Sequence, residues 1–120
     1  MRKVLAVDDS MTMRQLVSLS LRQAGYEVVE ATDGLDALAK LEAARFDLVV
    51  TDLYMPRLDG IGLIKRVRGL SSYRFTPILM LTTESDASRK AEGQAAGATG
   101  WIIKPFQPDQ LLKVVKRVLP

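Results

Sequence analysis

Acidic, hydroxyl and amino side chains stand at the ends of four short apolar runs in this sequence. Asp8 and Asp9 follow the first run, Asp52 ends a later one, and Thr82 and Lys104 close two more. An isolated ionised carboxylate in an apolar setting is unfavourable unless it is paired or bound to a metal. If these runs are parallel strands of one open sheet, the five side chains meet at its carboxyl edge, where ligands bind.

Such a group of side chains is suited to phosphoryl chemistry. Three adjacent carboxylates repel one another even at an effective dielectric constant of about 20, so they need a counter-charge. Oxygen ligands that leave room for water suit Mg²⁺. The ion, a hydroxyl group and the Lys104 ammonium group would neutralise a phosphoryl group under in-line attack by a carboxylate. Taken singly, these residues have plainer interpretations: Asp9 or Ser10 as a helix cap, Thr82 as a strand residue, and Lys104 as a solvated side chain.

The composition narrows the possible functions further. The 120 residues include no cysteine and no histidine, which excludes disulfides, thiolate nucleophiles, histidine bases and the usual zinc sites. The net charge is +3, but the basic residues are scattered and aromatic residues are few, so we expect no nucleic-acid binding by this chain alone. No apolar run is long enough for a signal peptide or a membrane span, so we expect a cytoplasmic location and no membrane partner.

Strands and helices must alternate along the chain to position these side chains. Continuous apolar runs predict five strands, at 4–7, 27–31, 48–52, 77–82 and 101–104. Amphipathic spacing predicts five helices, at 10–24, 33–43, 60–68, 85–96 and 108–118. Five strand–helix units in strict alternation indicate an α/β fold with a doubly wound parallel sheet, helices on both faces, and one domain spanning 1–120.

The helix predicted at 85–96 differs from the other four. Its apolar residues are alanines, which bury little surface, and Gly93 lies in its interior. We expect it to be the least firmly held helix, and elements of low stability are where moving parts are usually found.

Four segments resemble the receiver domain of two-component response regulators. They are "VLAVDDS", "VVTDLYMPRLDG", "ILMLTT" and "GWIIKPF", which occur in the order and at the spacing typical of that family. The resemblance covers the whole chain, and "VDDSMTMRQ" favours the single-domain chemotaxis type. It implies a flavodoxin-like fold with strand order 2-1-3-4-5 and a cis bond between Lys104 and Pro105.

The resemblance also implies a role for each residue of the carboxyl edge. Asp52 resembles the aspartate that accepts a phosphoryl group from a sensor histidine kinase. Asp9 resembles the direct ligand of Mg²⁺, Asp8 a ligand acting partly through water, and Tyr54 a ligand through its backbone carbonyl. Lys104 matches the lysine that pairs with the phosphoryl group.

Three further positions match residues that control the response to phosphorylation. Thr82 resembles the switch hydroxyl, and Trp101 stands where many chemotaxis-type relatives carry a mobile tyrosine. We expect Trp101 to report the switch, although its indole has no hydroxyl group to copy the tyrosine hydrogen bond. Tyr54 and Glu84 match positions that flank the path of the hydrolysing water and tune the lifetime of the phosphate; the sign of their effect stays open.

The function that follows is a phosphorylation-activated signalling switch that promotes only its own phosphorylation and dephosphorylation and is not otherwise an enzyme. A downstream protein, such as a flagellar motor switch protein, would bind the face formed by residues 85–119. Basic residues on or near that face suit an acidic partner: Lys90, Lys113, Lys116 and Arg117. A receiver domain of a transcription regulator, or a phosphate sink between kinases, would have almost the same sequence.

Two other classes of protein are disfavoured by particular residues. A phosphatase of the haloacid-dehalogenase type also uses an aspartyl nucleophile and Mg²⁺, but it requires a second aspartate where this chain has Tyr54. A flavodoxin-like binding module needs a phosphate-binding loop rich in glycine or hydroxyl groups. The loop after the first strand is acidic instead, at Asp8 and Asp9.

Overall fold

The computed structural model describes all 120 residues as a five-stranded parallel sheet with helices on both faces. The strands are β1 (Lys3–Val7), β2 (Glu27–Ala31), β3 (Leu48–Asp52), β4 (Ile78–Thr82) and β5 (Gly100–Ile103). The helices are α1 (Met11–Gln23), α2 (Gly34–Ala43), α3 (Gly60–Arg68), α4 (Ala87–Ala96) and α5 (Pro108–Val118). The strand order β2-β1-β3-β4-β5 confirms the predicted fold class.

The sheet separates two apolar layers. Alternate residues of each strand point to opposite faces, so Val4 and Ala6 join one layer while Leu5 and Val7 join the other. Helices α1 and α5 cover the first face, and α2, α3 and α4 cover the second. Both faces are buried, which is why the strands are continuous apolar runs rather than alternating ones.

Side-chain caps determine where the first two helices begin. The Ser10 hydroxyl accepts a hydrogen bond from the Met13 N–H at 3.3 Å, and Asp33 accepts one from the Asp36 N–H at 2.8 Å. Both residues therefore precede their helices as N-caps, where a side-chain oxygen satisfies a free backbone donor. The predicted ranges 10–24 and 33–43 included these caps, so the helices themselves are shorter.

Helix α4 begins at Ala87, two residues later than predicted. Thr83, Ser85 and Asp86 form hydrogen bonds among their own side chains, and the Asp86 carboxylate does not cap the helix. Side chains that bond locally compete with the helical conformation, which explains the late start. Gly93 is the only buried residue of α4. The prediction that α4 is weakly held agrees with this small buried surface and stays a prediction.

Three strands differ from their predicted ranges by one residue, and β1 begins at Lys3 rather than Val4. β4 begins at Ile78 rather than Pro77, because proline has no N–H to donate to the ladder. β5 covers Gly100–Ile103 rather than 101–104, because Gly100 pairs with Leu79 and brings the strand start forward.

The five helices are 9 to 13 residues long. A membrane-spanning helix needs about 20 mostly apolar residues. None of the five helices has both the length and the apolar character that crossing requires.

Candidate functional site

Three carboxylates meet at the carboxyl edge of the sheet, where the strand order reverses between β1 and β3. One carboxylate oxygen from each of Asp8, Asp9 and Asp52 lies within 4.8 Å of the others. Asp8 and Asp52 are buried, with 2% and 6% of their surface exposed, whereas Asp9 is exposed. The tertiary structure therefore brings together the three acids that the sequence placed at strand ends.

Asp8 has a raised pKa and an unpartnered carboxylate oxygen. Burial raises its pKa to about 6; the Ser10 N–H, which bonds to Oδ1 at 2.9 Å, opposes the rise, and the neighbouring Asp52 adds to it. Its second oxygen, Oδ2, is buried and has no hydrogen-bond partner. A buried oxygen without a partner beside two further carboxylates fits a hard divalent cation such as Mg²⁺.

Lys104 completes the charge arrangement at Asp52. Its Nζ lies 2.8 Å from Oδ1 of Asp52, as an ion pair in which both side chains are largely shielded from solvent. The Lys104 backbone N–H donates to the Thr82 carbonyl at 2.6 Å, and the following bond to Pro105 is cis, as the resemblance implied. The ammonium group thus lies where it can contact an anion attached to Asp52.

Thr82 ends β4 directly beside the acidic group. In the parallel register Asp52 pairs with Leu81, so Thr82 lies one residue beyond it. The Thr82 hydroxyl is buried and has no hydrogen-bond partner. Buried hydroxyl groups are usually bonded, so this one is available to an acceptor that arrives at Asp52.

The loop after β3 is held close to the sheet by Arg57, Asp59 and Gly60. Gly60 follows the Asp59 cap, whose carboxylate accepts from the Gly62 N–H at 2.8 Å. An added Cβ at Gly60 would overlap the Asp52 carbonyl oxygen, so this close approach requires glycine. Arg57 has a φ of 67° and pairs with Asp33, which fixes the middle of the same loop.

Tyr54, a predicted metal ligand and lifetime residue, has a side chain that points towards α4. Its hydroxyl donates to Oδ1 of Asp86 at 2.8 Å, and the ring is half exposed. This hydrogen bond raises the pKa of the Tyr54 phenol and is the largest cause of the lowered pKa of Asp86. No signal in the sequence marked Asp86, because its partner is 32 residues away and belongs to another loop.

Trp101, on β5, and Glu84, in the loop before α4, do not belong to the acidic group. Both line a shallow recess of about 380 Å³ between β5 and α5. Trp101 is partly buried, and the Lys90 ammonium group lies 4.1 Å from its ring centroid, which is a cation–π contact. Trp101 contacts α4 through Lys90, and Glu84 lies two residues after Thr82; their switch and lifetime roles stay predictions.

The largest recess on the surface, about 620 Å³, lies at the opposite edge of the sheet. Its lining includes Arg2, Arg45 and Arg74 but none of the predicted site residues. Volume therefore does not identify the functional site in this protein; the convergence of charged groups does.

This chain resembles one family model and several known proteins over nearly its whole length. The model of the response regulator receiver domain matches residues 4–116. The crystal structure of the chemotaxis protein CheY4 of Vibrio cholerae has a TM-score of 0.94 at 57% identity and covers 99% of each chain. Chemotaxis protein CheY1 of Helicobacter pylori strain 26695 is 40% identical over 119 residues, covering 98% of this chain and 96% of its own. Protein PilG of Pseudomonas aeruginosa is 35% identical over 118 residues, covering 98% of this chain and 87% of PilG.

This chain belongs to the response regulator receiver domain family. The predicted resemblance and fold class are both confirmed, and the similarity to chemotaxis proteins supports the chemotaxis type. Receiver domains are signalling switches, which confirms the general function predicted from the sequence. The residue roles and the assignment of 1–120 to one domain stay predictions.

Proposed function

We propose that this protein is a phosphorylation-activated signalling switch in which Asp52 accepts the phosphoryl group of a phosphohistidine on a sensor kinase. The observation that carries the proposal is the 2.8 Å pair between Lys104 Nζ and Asp52, formed beside two further carboxylates. A purely structural ion pair would not need Asp8 and Asp9 next to it. The protein acts on its own phosphorylation state and on no other substrate.

The transfer uses groups of this chain at each position. An oxygen of Asp52 attacks phosphorus, the new O–P bond forms as the N–P bond breaks, and the histidine nitrogen keeps the electron pair. Lys104 and the Thr82 hydroxyl then bond to the oxygens of the new phosphoryl group. The Lys104 ammonium group already lies 2.8 Å from Asp52, so this positive charge is in place before the phosphoryl group arrives.

Asp8, Asp9 and Asp52 would hold Mg²⁺, together with the backbone carbonyl of Tyr54. The unpartnered oxygen of Asp8 supports this assignment. When bound, the ion offsets the negative charge of the carboxylates and of the phosphoryl oxygens.

Phosphorylation changes the surface formed by residues 85–119. Thr82 bonds to the phosphoryl group, draws the loop before α4 inwards, and gives Trp101 space to move. The two conformations exist before phosphorylation, and contacts made in only one of them shift the population. A downstream chemotaxis protein binds the altered surface, as supported by the 57% and 40% identity to chemotaxis proteins. The flagellar motor switch as that partner and the cytoplasmic location stay predictions.

Replacement of the acceptor tests the proposal directly. Asp52→Asn removes the nucleophile while keeping the shape of the side chain, so acetyl phosphate with Mg²⁺ should label the wild type and leave the variant unlabelled. Intact-protein mass reports the label, and Asp109→Asn, which changes an exposed acid on α5, serves as the matched control. Continued labelling of Asp52→Asn would contradict the assignment.

A further inference from the structure

Three arginine side chains line one recess at the amino edge of the sheet, at the end of the strands opposite Asp52. Arg2 precedes β1, Arg45 lies in the loop before β3, and Arg74 lies between α3 and β4. The volume of the recess is about 620 Å³, a size typical of clefts that bind ligands. We call it the amino-edge recess. The fold thus gathers basic residues that are scattered in the sequence.

The amino-edge recess carries more positive than negative charge. Its one acidic residue is Asp47, whose Oδ2 accepts a hydrogen bond from a backbone N–H of β1 at 2.8 Å. Arg2 donates to the Pro120 carbonyl oxygen at 2.9 Å. Arg45 and Arg74 are exposed and form no ion pair with any carboxylate of the chain. These two guanidinium groups therefore have uncompensated charges, which attract negatively charged groups.

An exposed aromatic ring stands beside these charges. Phe75 directly follows Arg74, lines the same recess, and is 89% exposed, more than any other aromatic side chain of the protein. Val118 and Leu119 add apolar surface to the lining. Arginine and aromatic residues are enriched at protein–protein interfaces, where they supply charge-assisted hydrogen bonds and apolar contact area. The recess therefore suits a ligand that combines acidic groups with an apolar side chain.

An acidic peptide matches this lining better than a nucleic acid does. A guanidinium group binds a carboxylate through two parallel hydrogen bonds, and the Phe75 ring can pack against an aliphatic side chain. Nucleic-acid binding instead relies on neutralising many phosphates along an extended basic surface. The amino-edge recess is local and offers the free guanidinium groups of Arg45 and Arg74, which are too few for that mode of binding.

We propose that the amino-edge recess is a docking surface for an acidic peptide segment of a partner protein. Carboxylates of the segment bind Arg45 and Arg74, and an apolar side chain packs against Phe75. These three residues lie outside the acidic group at Asp52 and outside the face of residues 85–119 that phosphorylation changes. Binding at the recess is therefore independent of phosphorylation, so this partner stays attached to the protein in both states.

The test measures the binding of fluorescein-labelled peptides by fluorescence anisotropy at low ionic strength. The probe peptide consists of aspartate and glutamate with one central leucine, and its neutral counterpart has asparagine and glutamine in place of the acids. The protein should bind the probe and not the neutral peptide. Arg45→Gln combined with Arg74→Gln should raise the Kd for the probe about tenfold or more, because two charge-assisted contacts are lost.

Matched variants locate the binding. Lys65→Gln combined with Lys113→Gln removes two exposed charges of α3 and α5 outside the recess, so the Kd for the probe should stay within about twofold of the wild-type value. Phe75→Ser should weaken binding of the probe but not of a peptide that has serine in place of the leucine. Asp52→Asn should bind the probe as the wild type does.

Three results would overturn the proposal. Equal loss of affinity in the arginine and lysine double variants would show that the probe responds to net charge and not to the recess. Tighter binding of single-stranded DNA with the same net charge would exclude a peptide as the occupant. Failure of the wild type to bind the probe would exclude an acidic docking surface, while the proposed function, tested by labelling of Asp52, would stand.

Discussion

At the scale of single residues, the pair of Asp33 and Arg57 anchors the loop that follows the phosphoacceptor. Asp33 accepts two hydrogen bonds from the guanidinium, at 2.7 and 3.0 Å, and a third from the Asp36 N–H at 2.8 Å. These bonds lower the pKa of Asp33, and the hydrogen bond from Arg57 has the largest effect. The bidentate contact also holds Arg57 in a left-handed backbone conformation that non-glycine residues seldom adopt.

Asp33→Asn should therefore lower the free energy of unfolding in a pH-dependent manner. The amide oxygen still caps α2, but the charged pair with Arg57 is lost. The pKa of Asp33 in the folded protein lies below its ordinary value in the unfolded chain. The ion pair therefore stabilises the protein fully above the unfolded pKa, and this stabilisation is lost as the pH falls through the folded pKa. Urea unfolding should show that Asp33→Asn has a lower free energy of unfolding than the wild type at pH 7. This difference should shrink below about pH 4.

The control for this prediction is Glu42→Gln, which neutralises an exposed acid that forms no ion pair. The free energy of unfolding of Glu42→Gln should differ little from that of the wild type at pH 7. If the difference in free energy of unfolding between Asp33→Asn and the wild type is the same below about pH 4 as at pH 7, the ion pair does not contribute to stability.

At the scale of elements, α4 combines a weak apolar face with one very close contact. Gly93 is its only buried residue, and an added Cβ there would overlap the Met80 sulfur of β4. Met80 is fully buried, so it has little space into which to retreat. Gly93 weakens the helix by about 1 kcal/mol relative to alanine. The same glycine allows α4 to pack closely against the sheet.

Gly93→Ala should accordingly destabilise the protein although alanine favours helices. The gain in helix propensity is about 1 kcal/mol, and overpacking a buried contact costs about 1–3 kcal/mol. We expect a net loss of about 1 kcal/mol in the free energy of unfolding, measured by urea titration. Met80→Val shortens the opposing side chain, so Gly93→Ala should cost less in that background; an equal cost in both backgrounds would exclude the contact as the cause.

At the scale of the whole molecule, α4 connects the phosphoacceptor edge with the proposed partner face. The hydrogen bond from the Tyr54 hydroxyl to Asp86 attaches the start of α4 to the loop after β3, and Lys90 on the same helix contacts Trp101 on β5. A displacement of the loop after Thr82 would therefore change contacts on both sides of α4. A weakly packed helix between two such contacts can change position without disrupting the two apolar layers of the core.

The fluorescence of Trp101 should report this change. Beryllofluoride with Mg²⁺ mimics the phosphoryl group at Asp52, and its binding should alter the emission because the ring loses or changes its contact with Lys90. The protein has one tryptophan, so the signal has a single source. Asp52→Asn should show no change under the same conditions, and unchanged emission in the wild type would exclude Trp101 as part of the switch.

The sequence alone determined the alternation of strands and helices, the apolar face of each helix, and the acids at the strand ends. These features depend on local periodicity and on the rule that parallel strands present their carboxyl ends at one edge. The predicted meeting of Asp8, Asp9, Asp52 and Lys104 followed from that rule and is present in the structure. The strand order came from family resemblance, because periodicity does not rank strands within a sheet.

Contacts between loop side chains depend on how distant segments of the chain pack together. The bonds of Tyr54 to Asp86 and of Arg57 to Asp33 join residues 32 and 24 positions apart. Side-chain direction in a loop depends on backbone angles that are set by packing, such as the close approach of Gly60 to the Asp52 carbonyl. The late start of α4 has the same origin, since Asp86 bonds to Tyr54 and Thr83 instead of capping its own helix.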